Sequence, residues 1–426
     1  MSSKRWLLAL ASLALGVTWP RAAHPQDSTW HIIGQVRPRF EYRSGYRTLP
    51  PVITEPVVFV SQRTRLGAEY RIDPKIRLVV VMQDVRTWGD ELSTADPSAD
   101  KIDAHFAYGE LIPNEHWALQ IGRQEFSYDE QRILGACDWV QAGRVHDAVR
   151  LKWHNRSTDL HLAWTHHETG EPTSTQIYNN TDNYEDLVFL WGSTRRGIVG
   201  ASGLVLYDNY DRTWRILIQD RWTAGARLTI EGPAVQARLE GYYQMGSHKL
   251  YFRSPDTYDW DRFVHDLAAF MMAAEVTYVA PSKSSVTLWY DYLSGDRDSS
   301  DGRYTAFDVP YAGNHRFYGW ADLVLKIPDD TNDRGLQDLA LKFHVEKIGP
   351  VMADIHGHYF FYAQRDPMGD RALGFEGDLM VTADVMNHAR LQAGYSVVLP
   401  TDALKRLKHS ESAANWFWVM LDVNVK

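Results

Sequence analysis

The chain has 426 residues, 44% of them hydrophobic, with 16 Trp, 22 Tyr, one cysteine and a formal net charge of −9. That length suits one large barrel or two to three ordinary domains. The single Cys137 excludes an intrachain disulfide, the acidic balance excludes nucleic acid as the main partner, and a mean hydropathy of −0.38 with no apolar run of spanning length excludes a bundle of membrane helices.

Lys4 and Arg5 make a basic start, and Trp6 to Val17 is an apolar run too short to cross a bilayer. Ala22-Ala23 follows as an imperfect cleavage site, with Arg21 at the third position back. This pattern predicts a signal peptide over 1–23 and an exported chain over 24–426. The leader carries three basic residues and no acidic one, so the mature chain is more acidic still.

Segments 31–43 and 60–72 come next. Val36, Phe40 and Tyr42 fall on even positions and Gln35, Arg37, Arg39, Glu41 and Arg43 on odd ones; in the second segment Val60, Leu66, Ala68, Tyr70 and Ile72 alternate with Ser61, Arg63, Arg65, Glu69 and Arg71. A strict period of two predicts strands with one apolar and one polar face. Further strands are expected at 75–86, 102–112, 117–126, 146–154, 157–167, 184–191, 197–207 and 213–230, then at 233–246, 265–279, 283–294, 335–348, 351–364, 373–384, 388–399 and 415–425. The pattern amounts to eighteen strands in one domain, with weak alternation in 184–191 and 197–207. Segment 213–230 is long enough to hide a turn.

Connections alternate between short ones, such as Asp73-Pro74, Asn155-Arg156 and Val385 to Asn387, and long ones at 44–59, 87–101, 127–145, 168–183, 247–264, 295–334, 365–372 and 400–414. The lapse is 208–212, short where a long loop is due. Segregated loop lengths and an even strand count predict an all-β, antiparallel up-and-down transmembrane barrel with its short turns on the periplasmic rim. A lipid-facing Arg costs about 2–4 kcal/mol at the bilayer midplane. Three of the six arginines in the opening pair would then cost about 6–12 kcal/mol, comparable to the whole net stability of a domain. The polar face must therefore line a water-filled lumen. Arg221 and Arg227, and Gln236, Arg238, Glu240 and Gln244, repeat the same alternation.

The run QIGRQEFSYDEQRILGACDW (120–139), followed by GRVHDAVRL (143–151), resembles the signature of alginate-export-type outer-membrane porins. So do QRTRLGAEY (62–70), MQDVRTWGDE (82–91), YDYLSGDRD (290–298), NHRFYGWADL (314–323) and GFEGDL (374–379). The resemblance implies an eighteen-stranded barrel with a basic, constricted lumen that passes anionic or sugar-like solutes. By the same resemblance, Arg37, Arg39, Arg63, Arg65, Arg123, Arg144 and Arg150 are inward basic residues and Glu376 and Asp378 inward acids.

Arginines along a pore wall stay charged and offer planar donors to carboxylates, phosphates and sulfates. Glu41, Glu69, Glu125 and Glu240 would hold them extended, and Arg238, on the polar face of 233–246, joins the set. The alternative is that Arg and Glu pair across strands as mortar, without selectivity. Trp289, inward beside Asp291, is a stacking surface for a sugar or a packing residue. Loop 127–145, dense in charge (Asp129, Glu130, Arg132, Asp138, Arg144), is expected to fold inward and narrow the pore. Loop 295–334 carries Asp296, Asp298 and Asp301, which are oxygen donors of the calcium type, although acidic runs are usually just solvated.

Catalytic signatures such as GxSxG, HExxH and a phosphate-cradling glycine loop do not occur. Asp354, His356 and His358 share one strand face, but no fourth metal ligand is in view, so no metal site, catalytic residue or cofactor is expected. The predicted function is an outer-membrane channel for anionic or sugar-like solutes; the alternatives are an exporter of an anionic, alginate-like exopolysaccharide, or a barrel enzyme or structural barrel. The expected partners are outer-membrane lipid, small anionic or polyhydroxyl solutes or a polysaccharide, and the outer-membrane assembly machinery.

Overall fold

In a lipid environment every backbone polar group must be satisfied within the protein, so a strand-built membrane protein has to close on itself. The computed structural model describes residues 29–425 except 52–54, 92–101, 169–182, 213–216, 254–259 and 299, and it shows this closure. The expected leader at 1–23 lies outside the described residues.

The first half of the barrel comprises β1 (Thr29–Ser44), β2 (Val57–Asp73), β3 (Ile76–Thr87), β4 (Asp103–Asn114), β5 (Trp117–Gln124), β6 (His146–His154), β7 (Thr158–His166), β8 (Asn183–Arg196) and β9 (Val199–Arg212). It continues through β10 (Leu217–Glu231), β11 (Val235–Arg253), β12 (Trp260–Val279) and β13 (Ser285–Leu293). After β14 (Arg303–Tyr304), a two-residue strand inside a long loop, come β15 (Leu336–Ile348), β16 (Val351–Tyr362), β17 (Ala372–Met386), β18 (Ala389–Pro400) and β19 (Ala414–Val425). Without β14, eighteen antiparallel strands pair each with its sequence neighbour, and β1 pairs with β19 from Gly34↔Val425 to Ser44↔Asn415. Closure leaves no edge.

The alternation has the predicted sense. Trp30, Ile32, Leu66, Val80, Leu190, Leu239 and Leu288 are exposed on the outer face, whereas Arg37, Glu41, Arg63, Glu110, Asp291 and Glu376 are buried on the inner one. An apolar belt around a polar interior is the surface of an outer-membrane barrel. The expected connection 208–212 is strand instead, since β9 runs to Arg212 and pairs with β10 from Leu217↔Arg212 onward. The chain reverses between 212 and 217, at the start of the expected strand 213–230, in residues outside those described. The connection after β9 is therefore short on the long-loop rim.

One expected loop is mostly strand. Residues 247–253 and 260–264 extend the β11–β12 hairpin out to Arg253↔Trp260. A polar run, Ser247-His248-Lys249, is followed by an apolar one, Leu250-Tyr251-Phe252, so the extension shows no alternation to reveal it.

The packed core lies inside the barrel. Loop 125–145, between β5 and β6, and loop 294–335, between β13 and β15, fold inward. Their Phe126, Leu134, Phe307, Phe317 and Ile327 bury against the inward Leu187, Phe189, Leu206 and Met271 of the wall. The lumen is thus narrowed by two inserted loops. Helix α1 (Asp402–Lys408) sits between β18 and β19 and buries Ala403 and Leu404.

Candidate solute pathway

Alternation places Arg37 and Arg39 on the inner face of β1 and Arg63 and Arg65 on that of β2, where Arg37 and Arg63 are register partners. Loop 125–145 lies against this wall. Asp138 accepts from Arg63 at 2.8 Å and Arg37 at 3.2 Å, with Arg65 at 3.6 Å, so three guanidinium groups share one carboxylate. Arg37 also donates to the Asp138 carbonyl (2.8 Å) and to Gln141 Oε1 (3.0 Å). Arg39 donates to the Trp139 carbonyl (2.8 Å) and stacks over the Trp139 ring at 4.1 Å. The wall arginines therefore hold the inserted loop as well as face the pore. Burial raises the Asp138 carboxyl, but Arg63, followed by Arg37 and Arg65, more than offsets it and holds the group below the usual carboxylate range.

A second node pins the same loop to the far wall. Arg132, fully buried, donates to Glu240 of β11 at 2.6 Å and to Asp291 of β13 at 2.7 Å, and sits 3.7 Å over the Phe317 ring of loop 294–335. Burial works against its charge, but Asp291 and Glu240 outweigh that and keep the guanidinium ionised. A third node joins loop 294–335 to the wall through Arg221 with Asp208 (2.7 Å) and Asp308 (2.9 Å).

The remaining expected site residues divide as follows. Glu41 accepts from Arg39 (2.9 Å), Arg43 (2.8 Å) and the Trp416 indole (3.0 Å), and Glu69 lies between Arg71 (2.9 Å) and Arg77 (3.4 Å). Arg150 is inward, bonded to Gln120 (2.8 Å) and Tyr128 (3.1 Å). Arg238 pairs across the wall with Glu275 (2.7 Å) and Glu240 (3.2 Å). Glu376 accepts the Ala321 amide of loop 294–335 at 2.7 Å, and Asp378 accepts from Ser396 at 2.5 Å.

Two assignments change. Arg123 is not in the lumen: it has the outward parity of Ile121 and bridges Asp147 (3.0 Å) and Asp103 (3.2 Å), both largely exposed. The inward Gln120 and Gln124 are on the other face, so local alternation decides against the resemblance. Arg144 is not on the wall but on the inserted loop, held by the carbonyls of Pro310 (3.1 Å), Gly135 and Ala312 (both 3.3 Å). Trp289 proves to be a packing residue, with Lys342 Nζ 3.7 Å and the Arg238 guanidinium 4.4 Å from its ring. Asp298 and Asp301 cap turns, accepting the amides of Ser300 (3.0 Å) and Arg303 (2.8 Å).

Charge is segregated around the lumen. On β1 to β6 inward Arg37, Arg63, Arg65, Arg77, Arg150 and Lys152 outnumber Glu41, Glu69 and Glu110, while on β11 to β17 Glu240, Glu275, Asp291, Asp338, Glu376 and Asp378 outnumber Arg238 and Lys342. This was available from sequence, because strand order around the barrel follows chain order. The nodes of Arg132 and Asp138 were not, because their ion-pair partners are 73–159 residues away. Between the two inserted loops lies a cavity of about 510 Å³ lined by Arg47, Asp138, Trp139, Arg144, His315 and Lys326.

A family model described as alginate export matches residues 30–325. No curated protein matches in sequence. Among solved structures, OccAB1 of Acinetobacter baumannii is 14% identical with a TM-score of 0.59, over 93% of this chain and 96% of that one. OprD of Pseudomonas aeruginosa is 10% identical with a TM-score of 0.59, over 95% of each chain. OpdK of the same organism is 8% identical with a TM-score of 0.55, over 92% and 98%. At these identities the likeness is one of fold.

Proposed function

Because the chain belongs to the alginate export family of outer-membrane barrels, we propose that it is a diffusion channel for small anionic and polyhydroxyl solutes, which pass the arginine wall of β1 and β2. The observation that carries this reading is the sharing of Asp138 by Arg37, Arg63 and Arg65. One carboxylate leaves positive charge in excess there, and the carbonyls that bind the spare N–H groups do not neutralise it. Opposite stands the acidic wall of β11 to β17. A solute threading between the walls meets donors on one side and acceptors on the other, which suits a sugar acid or a polyol better than a bare cation.

Export of an anionic polysaccharide is the second reading. Arg37 and Arg39, like Arg63 and Arg65, occupy successive inward positions, about 6.8 Å apart along a strand, a spacing on which a polymer's carboxylates can step. The partners of either reading are outer-membrane lipid and the assembly machinery that inserts barrels; neither involves a catalytic step or a cofactor.

The test is planar-bilayer recording in a salt gradient. Anion preference is expected for the native chain, and Arg37, Arg39, Arg63 and Arg65 changed together to Glu should move the reversal potential towards cations. A cation-selective native channel would refute the reading. Block of the current by an anionic oligosaccharide, but not by its monomer, would favour the export route.

A further inference from the structure

The acidic wall holds a side-chain cluster that neither the loop anchors nor the arginine clamp uses. His356 and His358 lie two apart on the inner face of β16, and Asp378 of β17 is the direct register partner of His356. Their donor atoms all lie within 4.8 Å of one another. Asp354, which shares their face in sequence, is drawn off by His344 at 2.8 Å; the third donor comes from the next strand instead.

Two independent features point to a ligand. Asp378 is 3% exposed, its Oδ1 accepts from Ser396, and its Oδ2 makes no hydrogen bond of good geometry among the described residues, with the Glu376 carboxyl and the Trp320 amide nearby. The adjacent Glu376, fully buried, also leaves Oε2 unpartnered. Buried carboxylate oxygens without donors are costly, and a cation between them and the imidazoles would remove that cost. His358, in turn, has Nδ1 fixed 2.8 Å from Asp338 Oδ2. A carboxylate on one ring nitrogen sets the tautomer and aims the other at a metal, as second-shell carboxylates do for metal-binding histidines.

We propose that His356, His358 and Asp378 bind one divalent transition-metal ion of the zinc class in the lumen wall. Two nitrogens and one carboxylate oxygen suit such an ion and suit magnesium or calcium poorly. With bonds of about 2.1 Å, tetrahedral donors stand roughly 3.4 Å apart, so a small turn of the half-buried His356 ring completes the set. Trp320 of loop 294–335 lies against His356 at 4.6 Å between ring centres and covers the site from the lumen side, while the open coordination position is left to water or solute.

The experiment uses the refolded full-length barrel, stripped with chelator and titrated with Co²⁺ and then Zn²⁺. The expected result is visible Co²⁺ absorption that saturates at a single equivalent and is displaced by Zn²⁺. His356→Gln should abolish it, and Asp338→Asn should weaken binding about 10–100-fold. His344→Gln, on the same strand pair but outside the cluster, should leave it unchanged. Absence of the bands in the native barrel would overturn the proposal and mean that Glu376 and Asp378 merely share a proton. Equal loss in His344→Gln, or full binding in His356→Gln, would overturn it too. Should a variant fail the heat-dependent gel shift of a folded barrel, the native stoichiometry and Zn²⁺ displacement decide the matter.

Discussion

Arg132 and Asp291 meet at 2.7 Å in the middle of the barrel, both fully buried, although 159 residues separate them in the chain. One comes from the loop after β5 and the other from the wall strand β13, so this ion pair, with Glu240 beside it, fixes how far the loop crosses the lumen. Breaking a buried pair from one side leaves an uncompensated charge, which costs more than never having built the pair.

Arg132→Met should therefore destabilise the barrel by about 3–5 kcal/mol and release loop 125–145 from the far wall. Denaturant midpoints read by gel shift should fall, and single-channel conductance should rise. Adding Glu240→Gln and Asp291→Asn to the same chain should restore much of the stability but not the narrow conductance.

Asp138→Asn removes the carboxylate that Arg37, Arg63 and Arg65 share. A charge–charge interaction at about 4 Å in water is worth about 1 kcal/mol, or roughly fivefold. The anion-to-cation permeability ratio should rise by about that factor, measured as a reversal-potential shift. An unchanged ratio would show that these arginines serve only to hold the loop.

The pH dependence has a definite sign. Asp138 titrates below its ordinary value because its arginine partners outweigh the burial that pushes it up. A depressed carboxyl contributes its stabilisation above the unfolded pKa of about 3.9 and loses it as pH falls through the folded value. Conductance and selectivity should be level from neutral pH down to about 5 and should change only in stronger acid. Asp138→Asn should abolish that acid transition.

Arg123→Ala should leave selectivity where it is, since this side chain sits on the outward parity at the rim. The loss of its pairs with exposed Asp103 and Asp147 should cost about 0–1 kcal/mol. A marked shift in reversal potential would return Arg123 to the pathway.

Gly319 has φ +75°, and a Cβ there would stand 2.5 Å from the Glu376 carboxyl. Gly319→Val should strain the backbone by about 1–3 kcal/mol, break the Ala321 amide bond to Glu376 and lift loop 294–335 from the acidic wall. Higher conductance with a smaller denaturant midpoint is the expected signature.

The strand count, the closed barrel and the inner or outer sense of the strongly alternating strands, such as 31–43, 60–72 and 233–246, were legible because they follow from a local rule. A period of two tells which side chains share a face, and the price of an arginine in lipid tells which face is inside. Chain order then carries over into order around the barrel, so the basic wall of Arg37, Arg39, Arg63 and Arg65 follows from alternation, whereas Glu376 and Asp378 are placed inward by the family resemblance. Arg123 is the exception: the family resemblance puts it inward, whereas the parity of Leu119 and Ile121 puts it outward. What tertiary structure alone decided is how those walls are used. Loops have no period, and a loop residue such as Arg132 or Asp138 finds its partner through the depth of the fold across the lumen. Sequence separation carries no trace of that distance, so the sharing of Asp138 by three arginines, the anchoring of Arg132 and the meeting of His356 with Asp378 emerge only once the barrel has closed around them.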